Sequence, residues 1–211
     1  AGEADRSTFV VGIGGGVALN GPIIATFPDM YVGNATFETP RVVVASGNFL
    51  AEAEEEAVLI YPHTNGTYRL APLSFSLNAT ATDITPVSHP VVNGPSYDQV
   101  VKRIPAGIAA TAVDLDMDGQ DELALAYEQN DDLFVNIYAA DSNDVLTLQS
   151  SQKVLDLGLD GCNGQNNPYE FSDLSLALSS GDLNGTFYGE ELVLAAHYGI
   201  MSGAGSPGSN Q

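Results

Sequence analysis

The chain has 211 residues, and 6 Lys and Arg against 27 Asp and Glu leave a formal net charge of −21. That balance excludes non-specific nucleic-acid binding, which needs a basic face to displace counterions, and argues against docking on anionic membranes. Hydrophobic residues make up 44%, enough for a packed core, while no apolar run approaches the ~20 residues of a membrane span.

In chain order, residues 1–36 hold two strand-like runs, Thr8–Ile13 and Pro22–Phe27. At the end of the first run Gly12-Ile-Gly14-Gly15-Gly16 resembles a phosphate loop only superficially. Val17 stands where the last Gly of that pattern belongs, and no helical pattern follows. Further on, apolar residues alternate or come in short runs punctuated by Gly, Pro, Asn and Asp. Val42–Ala45, Ala57–Tyr61, Ala109–Val113, Leu123–Tyr127, Leu133–Tyr138, Leu174–Leu178 and Leu192–Ala196 read as strands. Helical periodicity is nearly absent, so the expected class is all-β.

The chain repeats itself three times. Val44-Ala-Ser-Gly-Asn-Phe-Leu50 precedes Glu54-Glu-Glu-Ala-Val-Leu-Ile-Tyr61. Thr111-Ala-Val-Asp-Leu-Asp-Met-Asp-Gly119 precedes Asp121-Glu-Leu-Ala-Leu-Ala-Tyr127. Leu178-Ser-Ser-Gly-Asp-Leu-Asn-Gly185 precedes Glu190-Glu-Leu-Val-Leu-Ala-Ala196. Asn48, Asp114 and Asp182 are then equivalent, at spacings of 66 and 68 residues. The middle copy is the most complete. Ile108–Asp114 is its innermost strand, Glu122–Glu128 the second, Leu133–Ala139 the third and Leu146–Leu155 the outermost. Asn130-Asp131-Asp132 forms a hairpin turn. Four antiparallel strands repeated about an axis make a β-propeller blade. The expected organisation is N-terminal strands in 1–36 that complete another blade, repeat 1 in 37–105 and repeat 2 in 106–170. Residues 171–211 hold an incomplete repeat 3 and a Gly/Ser tail from Met201. Three repeats fall short of the ~4–8 blades of a ring. Either the chain is one portion of a longer propeller, or copies share strands head to tail.

The loop Asp114-Leu-Asp116-Met-Asp118-Gly119-Gln120-Asp121-Glu122 carries the sharpest chemistry. Alternate side chains in a tight loop converge, so Asp114, Asp116 and Asp118 offer oxygens to one point. Gly119 permits the turn, Gln120 offers its backbone carbonyl, and Glu122 closes the far side. Several carboxylates with no nitrogen or sulfur ligand suit Ca²⁺. The loop is not an EF-hand, because Leu125 stands at the twelfth position and a strand follows. A second loop retains Asp182, Asn184 and Thr186, with Glu191 displaced by one residue. The first loop, from Asn48, has lost its third-position ligand, and its acidic run Glu52–Glu56 reads as solvated.

Asn34, Asn65, Asn78 and Asn184 each begin an Asn-x-Thr triplet, the acceptor pattern for N-glycans, which favours an extracellular or cell-surface address. On Asn184 a glycan would compete with metal ligation. The single Cys162 permits no internal disulfide, and scattered His63, His89 and His197 do not make a zinc site. Ser206 lies in the Gly/Ser tail with no strand before it, unlike a hydrolase nucleophile. The chain is expected not to be an enzyme.

These residues resemble the FG-GAP, or VCBS, repeat family, which includes the integrin alpha-subunit propeller. The third repeat matches through Phe171, Ser180-Gly-Asp-Leu-Asn-Gly185, Glu191-Leu-Val-Leu194 and Ala195-Ala196. The second supplies the calcium loop from Asp114 to Glu122. The resemblance spans roughly residues 37 to 200, with Ser172 in place of the Gly of the Phe-Gly pair. It implies propeller blades whose first inter-strand loop is made rigid by calcium, and extracellular adhesion or scaffolding as the role. The expected partners are another protein or copies of the chain itself, with no nucleic acid and no membrane span. Alternatives are a carbohydrate-binding propeller, with glycans as ligands, and an accessory domain of a larger secreted enzyme.

Overall fold

The computed structural model describes residues 7–11, 23–27, 42–51, 56–63, 65–77, 84–96, 107–129, 132–156, 169–185 and 189–202. Among them every regular element is a β-strand and every strand pairing is antiparallel. A small sheet pairs β1 (Ser7–Val11) with β2 (Ile23–Phe27). The first large sheet runs from β3 (Val43–Gly47) through β4 (Glu56–Pro62) to β5 (Thr67–Leu77). Its far edge is shared by β6 (Ile84–Ser88) and β7 (Val92–Ser96). β6 pairs with the C-terminal half of β5 and β7 with its N-terminal half, so the two are one outer strand interrupted at His89-Pro90-Val91. Pro90 has no N–H to add to a ladder, which accounts for the break. His89 holds the gap closed: its N–H donates to Pro72 O at 3.2 Å, and its Nε2 meets the buried Ser74 Oγ at 2.8 Å.

The second sheet is a meander of β8 (Ile108–Val113), β9 (Glu122–Gln129), β10 (Asp132–Ala140) and β11 (Leu146–Asp156). It holds the four strands expected from the middle repeat; of the turn before β10, Asn130 and Asp131 lie outside the described residues. The third sheet pairs β12 (Tyr169–Gly181) with β13 (Glu191–Ser202). β13 runs through Met201 and Ser202, which the Gly/Ser composition had placed in the tail. No closed barrel or propeller ring forms among the described residues.

Sheet period decides what packs where, since successive side chains point to opposite faces. On β9, Leu123, Leu125 and Tyr127 join Val58, Ile60 and Leu70 of the first sheet in one core cluster. Ala124 and Ala126 point the other way and are also fully buried, on the side where β12 lies beside β8 and β9. β9 is therefore covered on both faces, which explains its unbroken run of buried side chains. Burying one Leu or Ile of this kind contributes roughly 1.5–3 kcal/mol. β3, β8 and β12, the first strands of their sheets, lie side by side. Gly47 lets β3 approach β8: a Cβ there would stand 2.4 Å from Ala112 Cβ. From the third sheet, Ser180 Oγ donates to Ala112 O at 2.7 Å.

The second sheet also carries one buried polar cluster. Asn136, 3% exposed, accepts from Tyr127 OH at 3.3 Å and donates to Tyr138 OH at 3.1 Å. Burial raises both tyrosine pKa values above the usual phenol range, against the opposing Asn136 bonds. Tyr127 also stacks on Phe134, with ring centroids 5.6 Å apart.

Candidate metal centre

One backbone clamp recurs in the three loops that join the first two strands of each large repeat. Glu56, Glu122 and Glu191 each sit at the head of the second strand. Each accepts, through Oε2, the N–H of the residue after the Asn48-type position. The distances are 2.8 Å from Phe49, 2.9 Å from Leu115 and 2.8 Å from Leu183. Leu50 N–H adds a second bond to Glu56 at 3.1 Å. A tight loop leaves N–H groups that no strand can satisfy, and a carboxylate one strand away meets that need. Glu56 is only 1% exposed, which corrects the reading of Glu52–Glu56 as wholly solvated. Glu52, Glu54 and Glu55 lie outside the described residues.

Within the second loop, Asp114, Asp116 and Asp118 come together. One carboxylate oxygen from each lies within 4.8 Å of the others. Calcium–oxygen bonds are ~2.3–2.6 Å, so two ligands of one ion stand at most about twice that length apart. The three oxygens fit inside that limit and could hold a metal ion. The backbone folds round them: Met117 N–H and Gly119 N–H donate to the two oxygens of Asp114 at 2.7 and 3.2 Å. Asp118 N–H donates to Asp116 at 3.2 Å, and Gln120 N–H to Asp118 at 2.7 Å. Met117 and Gly119 take the left-handed conformation, with φ of 64° and 87°. Gly119 does so without the steric cost that Met117 bears.

Glu122 lies behind this group and spends Oε2 on the Leu115 clamp. Burial pushes its carboxyl above the usual range, the Leu115 N–H opposes that, and the charges of Asp116, Asp114 and Asp118 add to the rise. The side-chain amide of Gln120 turns outward from the loop and donates to Phe49 O at 2.8 Å.

The third loop is arranged differently. Asp182 Oδ1 accepts from Gly185 N–H at 2.6 Å, and the Asn184 amide nitrogen donates to Glu191 Oε1. Thr186 lies outside the described residues. So do the acceptor residues Asn34 and Asn78, and Cys162. Asn65 is exposed in a turn, where its Oδ1 accepts from both the Thr67 N–H and the Thr67 hydroxyl. Asn184 is exposed as well.

Two acids missed in the sequence prove central to how the sheets join. Asp121 pairs with Asn48 of the first repeat, its N–H donating to Asn48 O and its Oδ2 accepting from Asn48 N–H, both at 2.7 Å. Glu190 does the same to Asp114, with N–H to O at 2.9 Å and Oε2 to N–H at 3.4 Å. The signal was visible as paired acids, Asp121-Glu122 and Glu190-Glu191, at the head of each second strand. The first acid of each pair reaches the preceding repeat, and the second closes its own loop. The second loop is thus tied on both sides, for Asn48 Nδ2 also donates to Gly119 O at 2.6 Å.

Compared with protein-family models, curated proteins and solved structures, the chain matches none.

Proposed function

We propose that the chain is an extracellular, calcium-stabilised structural or adhesion module of FG-GAP type, built of propeller-type blades and not an enzyme. The observation that carries this reading is the placement of Asp114, Asp116 and Asp118. Their oxygens converge in a loop that, alone among the three loops as far as the described residues go, is hydrogen-bonded both to the repeat before it and to the repeat after it. Asp114, Asp116 and Asp118 would hold the ion, with the Gln120 carbonyl and Glu122 completing the set. A bound calcium ion supplies the positive charge that offsets these clustered carboxylates. The chain's own groups then fix the seam: Asn48 and Gln120 hold the loop to the first repeat, and Glu190 holds Asp114 to the third.

By mass action, an ion that binds only the folded chain raises its stability. Melting temperature should therefore rise in calcium and fall in chelator. Asp116→Ala, at an exposed position outside the core, should abolish the calcium response while leaving the chelated protein folded. A variant that still responds like the parent counts against the site.

A further inference from the structure

The hairpin between β4 and β5 holds the acceptor triplet Asn65-Gly66-Thr67 in a fixed geometry. His63 N–H donates to Thr67 O at 2.9 Å, and Gly66 N–H donates to His63 O at 3.0 Å. Gly66 takes the left-handed conformation, with φ of 86°, that a short hairpin loop of this kind needs. His63 and Thr67 therefore stand opposite each other across the hairpin, with their side chains on one face. Asn65 lies between them in the chain. Its own N–H donates to His63 Nδ1 at 3.2 Å, which brings the imidazole ring beside it. Its Oδ1 accepts from Thr67 N–H at 3.1 Å and from the Thr67 hydroxyl at 2.8 Å. That oxygen is the nearer of two acceptors for the hydroxyl, since Asn93 Oδ1 stands 3.3 Å away.

These bonds hold the Asn65 carboxamide by its oxygen and leave its nitrogen to solvent. Asn65 is exposed, and its Nδ2 has no hydrogen-bond partner among the described residues. The triplet of the third repeat is built the other way. There the Asn184 amide nitrogen donates to Glu191 Oε1, and Glu191 is the acid that closes that loop through Leu183 N–H. A sugar on Asn184 would draw the amide away from that carboxylate, whereas a sugar on Asn65 displaces no bond among the described residues. Exposure does not separate the two triplets, because both asparagines are exposed. The direction of the amide nitrogen does.

We propose that Asn65 carries an N-linked glycan whose first sugar packs on the His63 ring and the Thr67 methyl group and so stabilises the β4–β5 hairpin. This rests on the extracellular address under the proposed function, and not on its calcium loop. In the transfer, Asn65 Nδ2 bonds to C1 of the first sugar of a lipid-linked oligosaccharide. The bond from C1 to the lipid diphosphate breaks, and the nitrogen gives up one of its two protons. With Oδ1 held by Thr67, the amide plane is set, and the sugar leaves the turn in a set direction. An N-acetylated hexosamine ring presents a face of C–H groups. Imidazole, like other amphipathic side chains, offers an apolar body beside a polar tip, and Thr67 adds a methyl group on the same face of the hairpin. Burying C–H surface between them favours the folded hairpin over the open one.

The test secretes the full chain from a eukaryotic cell and maps its sugars by peptide mass, before and after an N-glycosidase that converts each glycosylated Asn to Asp. Asn65 should be occupied. A secreted chain bare at Asn65 overturns the proposal and leaves the address standing. A second chain carries Thr36→Ala, Thr80→Ala and Thr186→Ala together, which closes the other three triplets and keeps their asparagines. Removing its one glycan should lower the melting temperature by about 2–4 °C. His63→Ala in that chain should leave Asn65 occupied and shrink the drop. The Asp left by the enzyme is common to both chains, so their difference reads the contact with the ring. A glycan whose removal leaves the melting temperature unchanged overturns the proposal, as does a drop of the same size without His63. Melting curves in calcium and in chelator on the same samples keep the two readings apart. A chain stabilised by its glycan and indifferent to calcium defeats the metal site alone, and a calcium-responsive chain bare at Asn65 defeats the glycan alone.

Discussion

Asp121 grips the peptide of Asn48 at both ends, its N–H on the Asn48 carbonyl and its carboxylate on the Asn48 N–H, each at 2.7 Å. The two residues are 73 apart in sequence and belong to adjacent sheets. Because Glu190 grips Asp114 in the same way, this is a rule of the repeat. A carboxylate bond to a part-buried N–H is charge-assisted, and its loss leaves the donor unsatisfied. Asp121→Ala should therefore cost roughly 1–3 kcal/mol, read by urea denaturation. Asp121→Asn keeps an oxygen acceptor and should lose less. If both substitutions leave the midpoint where it was, the grip contributes nothing to joining the sheets.

The close approach of β3 to β8 makes a second expectation. A methyl group on Gly47 would meet Ala112 Cβ at 2.4 Å and Asp121 Oδ2 at 2.6 Å. Neither is the far end of a long flexible chain that can swing aside. Gly47→Ala should overpack the junction and destabilise by roughly 1–3 kcal/mol. In a chain of this length that lowers the melting temperature by about 2–4 °C for each kcal/mol. A variant as stable as the parent would mean that the two strands part easily.

Glu56 is the most deeply buried of the three clamping glutamates and accepts two N–H groups, from Phe49 and Leu50. Glu56→Ala strips the acceptor from both donors, and each unsatisfied N–H costs about 1–3 kcal/mol. Glu56→Gln retains a carbonyl and should fall between parent and Ala. Thermal melts of the three proteins give the order directly. Equal melting temperatures for Gln and Ala would show that charge, and not the acceptor, matters there.

How much of this was legible in the sequence follows from the range of the forces involved. Strands were legible because each is a local pattern: Leu123–Tyr127, Leu133–Tyr138 and Leu192–Ala196 all fall within observed strands. The convergence of Asp114, Asp116 and Asp118 was legible too, since spacing in one tight loop determines it. Glu56 was misread because it sits in an acidic run, and only the fold shows that the strand begins there and turns its side chain inward. Asp121 and Glu190 were missed because their partners lie a whole repeat away. The split of the outer strand into β6 and β7 depended on Pro90 arriving opposite the middle of β5, which no local pattern announces.

The hairpin between β10 and β11 makes a prediction about acid. Asp141 Oδ1 accepts from Asn143 N–H at 2.8 Å and from Val145 N–H at 3.1 Å, and its own N–H donates to Val145 O at 2.9 Å. The Asn143 bond first, and then the Val145 bond, hold its carboxyl below the ordinary value of 3.8. A carboxyl whose pKa is lower in the folded chain than in the unfolded one binds its proton less readily when folded. Its contribution to stability is therefore full above the unfolded value and fades as pH falls through the lower, folded one. Asp141→Ala should melt below the parent at neutral pH, and the gap should narrow in strong acid. Both proteins share every other carboxylate, so the comparison cancels general acid unfolding. The turn also reaches beyond its own sheet, since Asp144 Oδ1 accepts from Ala51 N–H of the first loop at 3.2 Å. Losing Asp141 should therefore loosen Ala51 as well, seen as faster amide exchange at that residue. A melting gap that is the same at neutral and strongly acid pH would show that the carboxylate's charge is not what holds the turn.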